Sequence, residues 1–147
     1  MVIAIDFDGT LVENDFPAVG KPLPDAVDVI TELQQLGHKF ILLTMRDDDH
    51  YCEPATGKCK DYSFTITGKD IDTPSCLQDA IDYCNNNGII LWGINRNPTQ
   101  WKWSSSKKVY ADIYIDDQAF GIPTFTASNG KPAVDWKEIR KLILKDQ

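Results

Sequence analysis

Short runs of apolar, often β-branched residues recur along the chain, and each gives way abruptly to polar residues. Residues 2–5 (VIAI) and 40–43 (FILL) contain no polar position, the pattern of strands buried on both faces of a parallel sheet. Residues 89–92 and 109–115 predict a third and a fourth strand. Between the first two, Pro22 and Pro24 open a stretch in which Ala26, Val27, Ile30, Leu33 and Leu36 recur at helical spacing and stop at Gly37. The spacing of Leu77, Ala80, Ile81 and Cys84 predicts a second helix over 75–87, with Ser75 as N-cap and Gly88 beyond its end. A short segment at 122–125 and a terminal helix over 134–144 complete the pattern. From residue 45 to 74 the periodicity dissolves. Pro54, Gly57, Gly68 and Pro74, with one alternating piece at 62–67, predict an inserted loop or hairpin at about 47–74.

Strands separated by helices imply an α/β fold, and right-handed crossovers place helices on both faces of the sheet. The expectation is a three-layer α/β/α sandwich with a mainly parallel central sheet, built as one domain over residues 1–147 with the insert as its only excursion. Asp6 and Asp8 interrupt the first apolar run, and no run approaches the roughly 18 residues of a membrane span, so no membrane role and a cytoplasmic location are expected. With 22 acidic against 15 basic residues the net charge is −7, which makes nucleic acid and anionic lipid poor partners for the surface as a whole.

In open parallel sheets ligands bind beyond the carboxyl ends of the strands. The polar residues at those ends are Asp6 and Asp8, Thr44, and Asp116 with Asp117. Four carboxylates on one rim repel one another unless a cation neutralises them. Oxygen ligands in an open site suit Mg2+, whose natural companion is a phosphoryl group. The Thr44 hydroxyl and a lysine upstream of the acidic pair, Lys107 or Lys108, would supply the donors that a phosphoryl oxygen demands. Taken singly, each aspartate is equally explained as a turn or cap residue.

The sequence Asp6-Phe7-Asp8-Gly9-Thr10 after an apolar strand resembles the DxDGT motif of the haloacid dehalogenase (HAD) superfamily. Leu42-Leu43-Thr44 resembles its second motif, Lys107 or Lys108 its third, and Ile115-Asp116-Asp117 its fourth. The Thr44-Met45-Arg46 stretch, with Gly93-Ile94-Asn95 and Asn97-Pro98-Thr99, looks like a subgroup of very short, capless HAD-like hydrolases, from which the long stretch after Arg46 departs. The resemblance implies a Mg2+-dependent phosphohydrolase in which Asp6 is the nucleophile and forms a phosphoaspartate. Asp8 would be the general acid and base, its backbone carbonyl joining Asp6 and Asp116 around the metal. Asp117 would orient Asp116 or the lysine, and Thr44 would bind a phosphoryl oxygen. Lys108, directly before the Val109-Tyr110-Ala111-Asp112 stretch, fits the subgroup pattern better than Lys107 as the charge-neutralising lysine. The alternatives are a phosphotransferase of mutase type and a phosphate-binding module without catalysis.

Several residues carry two readings. Arg46 fits a substrate carboxylate or second phosphate, and equally a surface pairing with Asp47 or Asp48. Asn95 and Asn97 fit substrate contact, and equally a turn before Pro98. Trp101 and Trp103 fit stacking on a ligand, and also a plug on the side of a small core. His50, Cys52 and Cys59 are three of the four ligands a structural zinc needs, with Cys76 a distant fourth; a Cys52–Cys59 disulfide and reduced thiols are the other options. The insert carries seven acidic against three basic residues, which favours a small phosphorylated metabolite over a polyanion at the entrance. A capless site is exposed, and a second copy of the chain is one way to cover it.

Overall fold

The structure, a computed structural model, describes residues 1–47, 50–52, 59–61 and 76–145, the two three-residue segments by backbone alone. The first strand, β1, is Val2–Ile5, where three consecutive side chains are buried. Helix α1 (Ala26–Gln35) buries Ala26, Val29, Ile30 and Leu33, the i, i+3, i+4, i+7 face of its sequence. It stops at Gly37, whose φ of 86° lets its N–H reach the Gln34 carbonyl at 2.9 Å while His38 N–H reaches Leu33 at 3.0 Å. Strand β2 (Lys39–Leu42) follows. Within the insert, β3 (His50–Cys52) pairs antiparallel with β4 (Cys59–Asp61), and the register sets Cys52 opposite Cys59. The expected alternating piece at 62–67 and the Ser75 cap lie outside the described residues. Helix α2 (Cys76–Asn86) then leads to strand β5 (Leu91–Ile94), and β6 is Ile113–Ile115.

These strands form a four-stranded sheet in the order β5-β2-β1-β6, with every pairing parallel. The fold is therefore α/β, as expected. The two faces of the sheet are covered differently. Ile3, Ile5, Phe40, Leu42 and Ile115 join one core cluster with residues of α1, α2 and the last helix, α3 (Trp136–Lys145). Ala4 and Ile41 point the other way along their strands and pack with Ala111, Val109 and Trp92. The three α-helices among the described residues thus lie on one side. The other side carries the β5 to β6 crossover, in which Gln100–Lys102 forms a single 3-10 turn. Among the described residues no α-helix covers that side, where residues 95–112 hold Pro98, a serine triplet and no apolar helical period. No helix among the described residues is long and apolar enough to cross a membrane.

Three of the boundaries that differ from the sequence expectation have a cause in the hydrogen bonding or burial. Strand β5 begins at Leu91 instead of 89, because Ile89 is buried in the helix-side core while Ile90 is exposed and gives its N–H to Gln34 Oε1 at 2.8 Å. Strand β6 begins at Ile113 instead of 109, and over 109–111 side chains take the backbone groups: Tyr110 N–H goes to Gln100 Oε1 (2.9 Å) and Ala111 N–H to Tyr114 Oη (3.1 Å). The expected start of the last helix at 134 is instead strand β8 (Pro132–Val134), paired antiparallel with β7 (Thr124–Thr126). Helix α3 is capped one residue later by Asp135, whose Oδ1 accepts the N–H groups of Lys137 and Glu138 at 3.1 and 3.2 Å.

Candidate active site

Asp6 follows directly from β1, and its N–H still bonds to the Ile115 carbonyl at 2.9 Å, so β1 and β6 present Asp6 and Asp116 side by side. The chain then coils: Leu11 N–H reaches the Phe7 carbonyl at 2.8 Å and Gly9 N–H reaches the Val12 carbonyl at 2.8 Å. Gly9 has φ 78°, and a Cβ at that position would lie 2.5 Å from Asp117 Oδ2. Glycine is required there twice over, by backbone conformation and by the approach of that carboxylate. Thr10 is fully buried, and its Oγ1 accepts the Asp117 N–H at 3.2 Å. Gly9 and Thr10 therefore both serve the acidic pair at the end of β6.

Ligand atoms of Asp6, Asp116 and Asp117 lie within 4.8 Å of one another. Burial, then the negative charges of Asp116, Asp117 and Asp8, push Asp6 up to about 7 despite a backbone hydrogen bond that opposes the shift. Asp117 is raised too, by burial first and then by Asp116. Such carboxylates are held together against their own repulsion, and three oxygen donors of this kind fit a hard divalent cation. Asp117 contributes a carboxylate to the cluster beyond the Asp6 and Asp116 that the resemblance implied, and the Asp8 carboxylate lies outside it, consistent with a role for Asp8 through its backbone carbonyl alone.

Asp8 is occupied otherwise. Arg46 Nε donates to Asp8 Oδ2 and Nη2 to Oδ1, both at 2.7 Å, a two-pronged ion pair whose side chains are 1% and 15% exposed. The remaining Arg46 donors reach the carbonyls of Pro17 (3.1 Å), Cys76 (3.2 Å) and Ala18 (2.7 Å). All five N–H groups are spent inside the protein, and the guanidinium also sits over the rings of Phe7 and Phe16. Neither sequence reading of Arg46, substrate contact or surface pair, describes this buried clamp.

Thr44 ends the loop after β2. Its N–H bonds to Asn95 Oδ1 at 2.8 Å, and its Oγ1 accepts the Arg46 N–H at 3.1 Å. Asn95 adopts φ 50° and returns its own N–H to the Leu42 carbonyl at 2.8 Å. It fastens the Thr44 loop to β5 instead of facing the substrate position, and it borders a different groove. Asp6, Asp8, Thr44, Arg46 and Asp116 together line a cavity of about 250 Å³. Asn14, Phe16 and Gln118 also line it. The sequence reading missed these three, although Gln118 directly follows the acidic pair.

Neither Lys107 nor Lys108 lines this cavity. Lys108 lies with Nζ 5.9 Å from the centre of the Tyr114 ring, beside a separate groove, and Lys107 lines another. The expectation of a lysine among the aspartates is not met. A strand advances about 3.3 Å per residue, so a lysine just ahead of the run ending at Asp116 starts near the opposite end of the sheet.

Comparison with protein-family models and with curated proteins gave no match. Among solved structures, a conserved protein from Bacteroides thetaiotaomicron is similar, with 29% sequence identity and a TM-score of 0.65 over 100% of this chain and 92% of that one.

Proposed function

We propose that the protein is a Mg2+-dependent phosphohydrolase that acts through a phosphoaspartate on a small phosphorylated metabolite or terminal phosphate. The observation that carries this reading is the convergence of Asp6, Asp116 and Asp117 at the carboxyl ends of adjacent parallel strands, beside a cavity that Thr44 also lines. The strand order, with Asp6 after β1, Thr44 after β2 and Asp116 after β6, supports a HAD-like core as part of the same proposal.

In this reading Asp6 attacks phosphorus and the ester P–O bond breaks, which splits one difficult displacement into two easier ones. Asp8 gives its proton to the leaving oxygen and takes one from the water that later cleaves the phosphoaspartate. Both Asp8 oxygens accept Arg46 N–H bonds, which suits the carboxylate form of the second step; the first step starts from the carboxylic acid, for which one of these bonds must give way. Arg46 is then a positioning residue for Asp8. Thr44 offers its hydroxyl to a phosphoryl oxygen. Asp6, Asp116 and Asp117 would hold Mg2+, which when bound supplies positive charge to a phosphoryl group.

The test is turnover of a generic aryl phosphate with Mg2+ and with chelator, by the wild-type protein and by Asp6→Asn. Hydrolysis that needs Mg2+ and vanishes in Asp6→Asn is expected. Activity that survives chelation, or persists in freshly purified Asp6→Asn, refutes the assignment. One observation favours a second reading, a phosphate-binding module without turnover: among the described residues no lysine lines the cavity. That reading expects phosphate binding by a wild-type protein that never hydrolyses.

A further inference from the structure

The whole-chain charge of −7 conceals a local reversal. Residues 96–111, the crossover that covers the helix-free face of the sheet, contain Arg96, Lys102, Lys107 and Lys108 and no acidic residue. All four basic side chains are exposed. Interleaved with them stand Trp101 and Trp103, 75% and 60% exposed. Trp103 is held edge-on by the Tyr110 ring, with centroids 5.5 Å apart, so it stands out from the surface with its orientation fixed. Neither tryptophan plugs the core, since Trp136 and the aliphatic residues already fill it.

Two grooves run along this segment, of about 620 and 320 Å³, and share Gln100, Ser104 and Ser106. Both fall in the size range of small-ligand sites. Gln100 is buried and locks the loop by donating to the carbonyls of Ser106 (3.0 Å) and Lys108 (2.7 Å) while accepting Tyr110 N–H. The platform is therefore built, not a loose basic tail. The neighbouring Asp112 is committed to the Val2 N–H (2.7 Å) and the Tyr110 hydroxyl (2.9 Å).

We propose that this face binds single-stranded nucleic acid, with bases stacked on Trp101 and Trp103 and backbone phosphates on the surrounding lysines and Arg96. Exposed aromatics interleaved with cations are the arrangement such binding uses, because every base offers a π-face and every linkage a charge. A lipid surface would want an apolar face, whereas serine, asparagine and glutamine side chains line the first groove. The proposal is independent of the phosphohydrolase reading, since it concerns binding on residues outside the aspartate cavity.

The test is fluorescence anisotropy of a labelled single-stranded oligonucleotide of about twelve nucleotides, titrated with the full-length protein over a series of salt concentrations. Saturable binding is expected, with log K falling against log salt at a slope of about −2 to −3 if three or four cations engage. Trp101→Ala with Trp103→Ala should weaken binding about tenfold or more. Lys107→Gln with Lys108→Gln should flatten the slope by about 1.4. Circular dichroism checks that each variant folds, and base quenching of tryptophan fluorescence in the wild-type protein reads the contact without any substitution. Absence of saturable binding overturns the proposal, as does unchanged affinity in both folded double variants. Equal affinity for a duplex, or binding to vesicles of anionic phospholipid but not to the oligonucleotide, overturns it as well.

Discussion

Arg46→Ala tests whether burial or bond length governs the ion pairs of this protein. Two arginines make two-pronged pairs: Arg46 with Asp8 at 2.7 and 2.7 Å, and Arg140 with Glu32 at 2.6 and 2.6 Å. Distance alone ranks the second as the stronger. Exposure reverses the order, because the Arg46–Asp8 side chains are 1% and 15% exposed and those of Arg140–Glu32 are 47% and 38%. Removing one member of a buried pair strands the other charge and costs about 3–5 kcal/mol. Water reaches Asp8 slightly, which favours the lower end, about 3 kcal/mol. For a chain of this size that corresponds to a fall in Tm of roughly 10 °C. Urea titration followed by circular dichroism, run on Arg46→Ala, Arg140→Ala and wild type, measures the difference, and Asp8→Ala with the double variant closes the cycle. Arg140→Ala should leave the midpoint nearly unmoved. Comparable losses for the two alanine variants, or a loss below about 1 kcal/mol for Arg46→Ala, would show that this clamp is not the buried, charge-pairing element described above.

Gly9→Ala should cost about 1–2 kcal/mol for the left-handed backbone alone and should also displace the Asp117 carboxylate, so urea titration and Mg2+ calorimetry should both report a loss. Asp6 titrates near 7 in the metal-free protein against an ordinary value of 3.8, so the folded state holds the extra proton and, in chelator, stability should fall as pH rises from about 4 to about 7. Saturating Mg2+ should remove that fall in a thermal scan, and a pH-independent Tm in chelator over this window would contradict the burial and charge crowding of Asp6. Lys108→Ala should change kcat/KM for an aryl phosphate only slightly, since its ammonium lies over Tyr114 and outside the cavity; a hundredfold loss would place it back among the catalytic groups.

What the sequence made legible follows from which interactions are local. Strand β1 and the buried face of α1 were readable because strand and helix periods are set by neighbouring residues, and Gly37 stops its helix through its own backbone. The shortening of β6 was not readable. It depends on the side chains of Gln100, ten residues before Tyr110, and Tyr114, which folds its hydroxyl back onto Val109 and Ala111, and no strand or helix period marks such side-chain bonds to backbone. The β7–β8 hairpin did have a local signal, the Asn129-Gly130 pair between two short runs, and it was overlooked because residues 132–134 read equally well as the start of a helix. For the site, the aspartates were legible as strand-end residues. The partner of Asp8 was not, since an arginine two residues past Thr44 has no sequence mark that says it turns inward.

The geometry of the aspartates also shows why the C-terminal part of the chain belongs to the site, although it contributes no residue to the acidic cluster. Like charges brought within 4.8 Å must be restrained by bonds made elsewhere. Part of that restraint comes from β1 and β6. The rest comes from beyond β6: Val134 N–H bonds to the Gly9 carbonyl at 2.9 Å, and Trp136 Nε1 donates to the Thr10 carbonyl at 2.6 Å from a fully packed position. Both bonds land on the Gly-Thr turn that receives Asp117. A buried indole with its N–H satisfied joins large apolar contact to a directed hydrogen bond, and here it ties the hydrophobic core to the backbone of the acidic loop. The hairpin and α3 thus act as a buttress, and the energy that holds the carboxylates against their repulsion is drawn from the core on the helix side of the sheet.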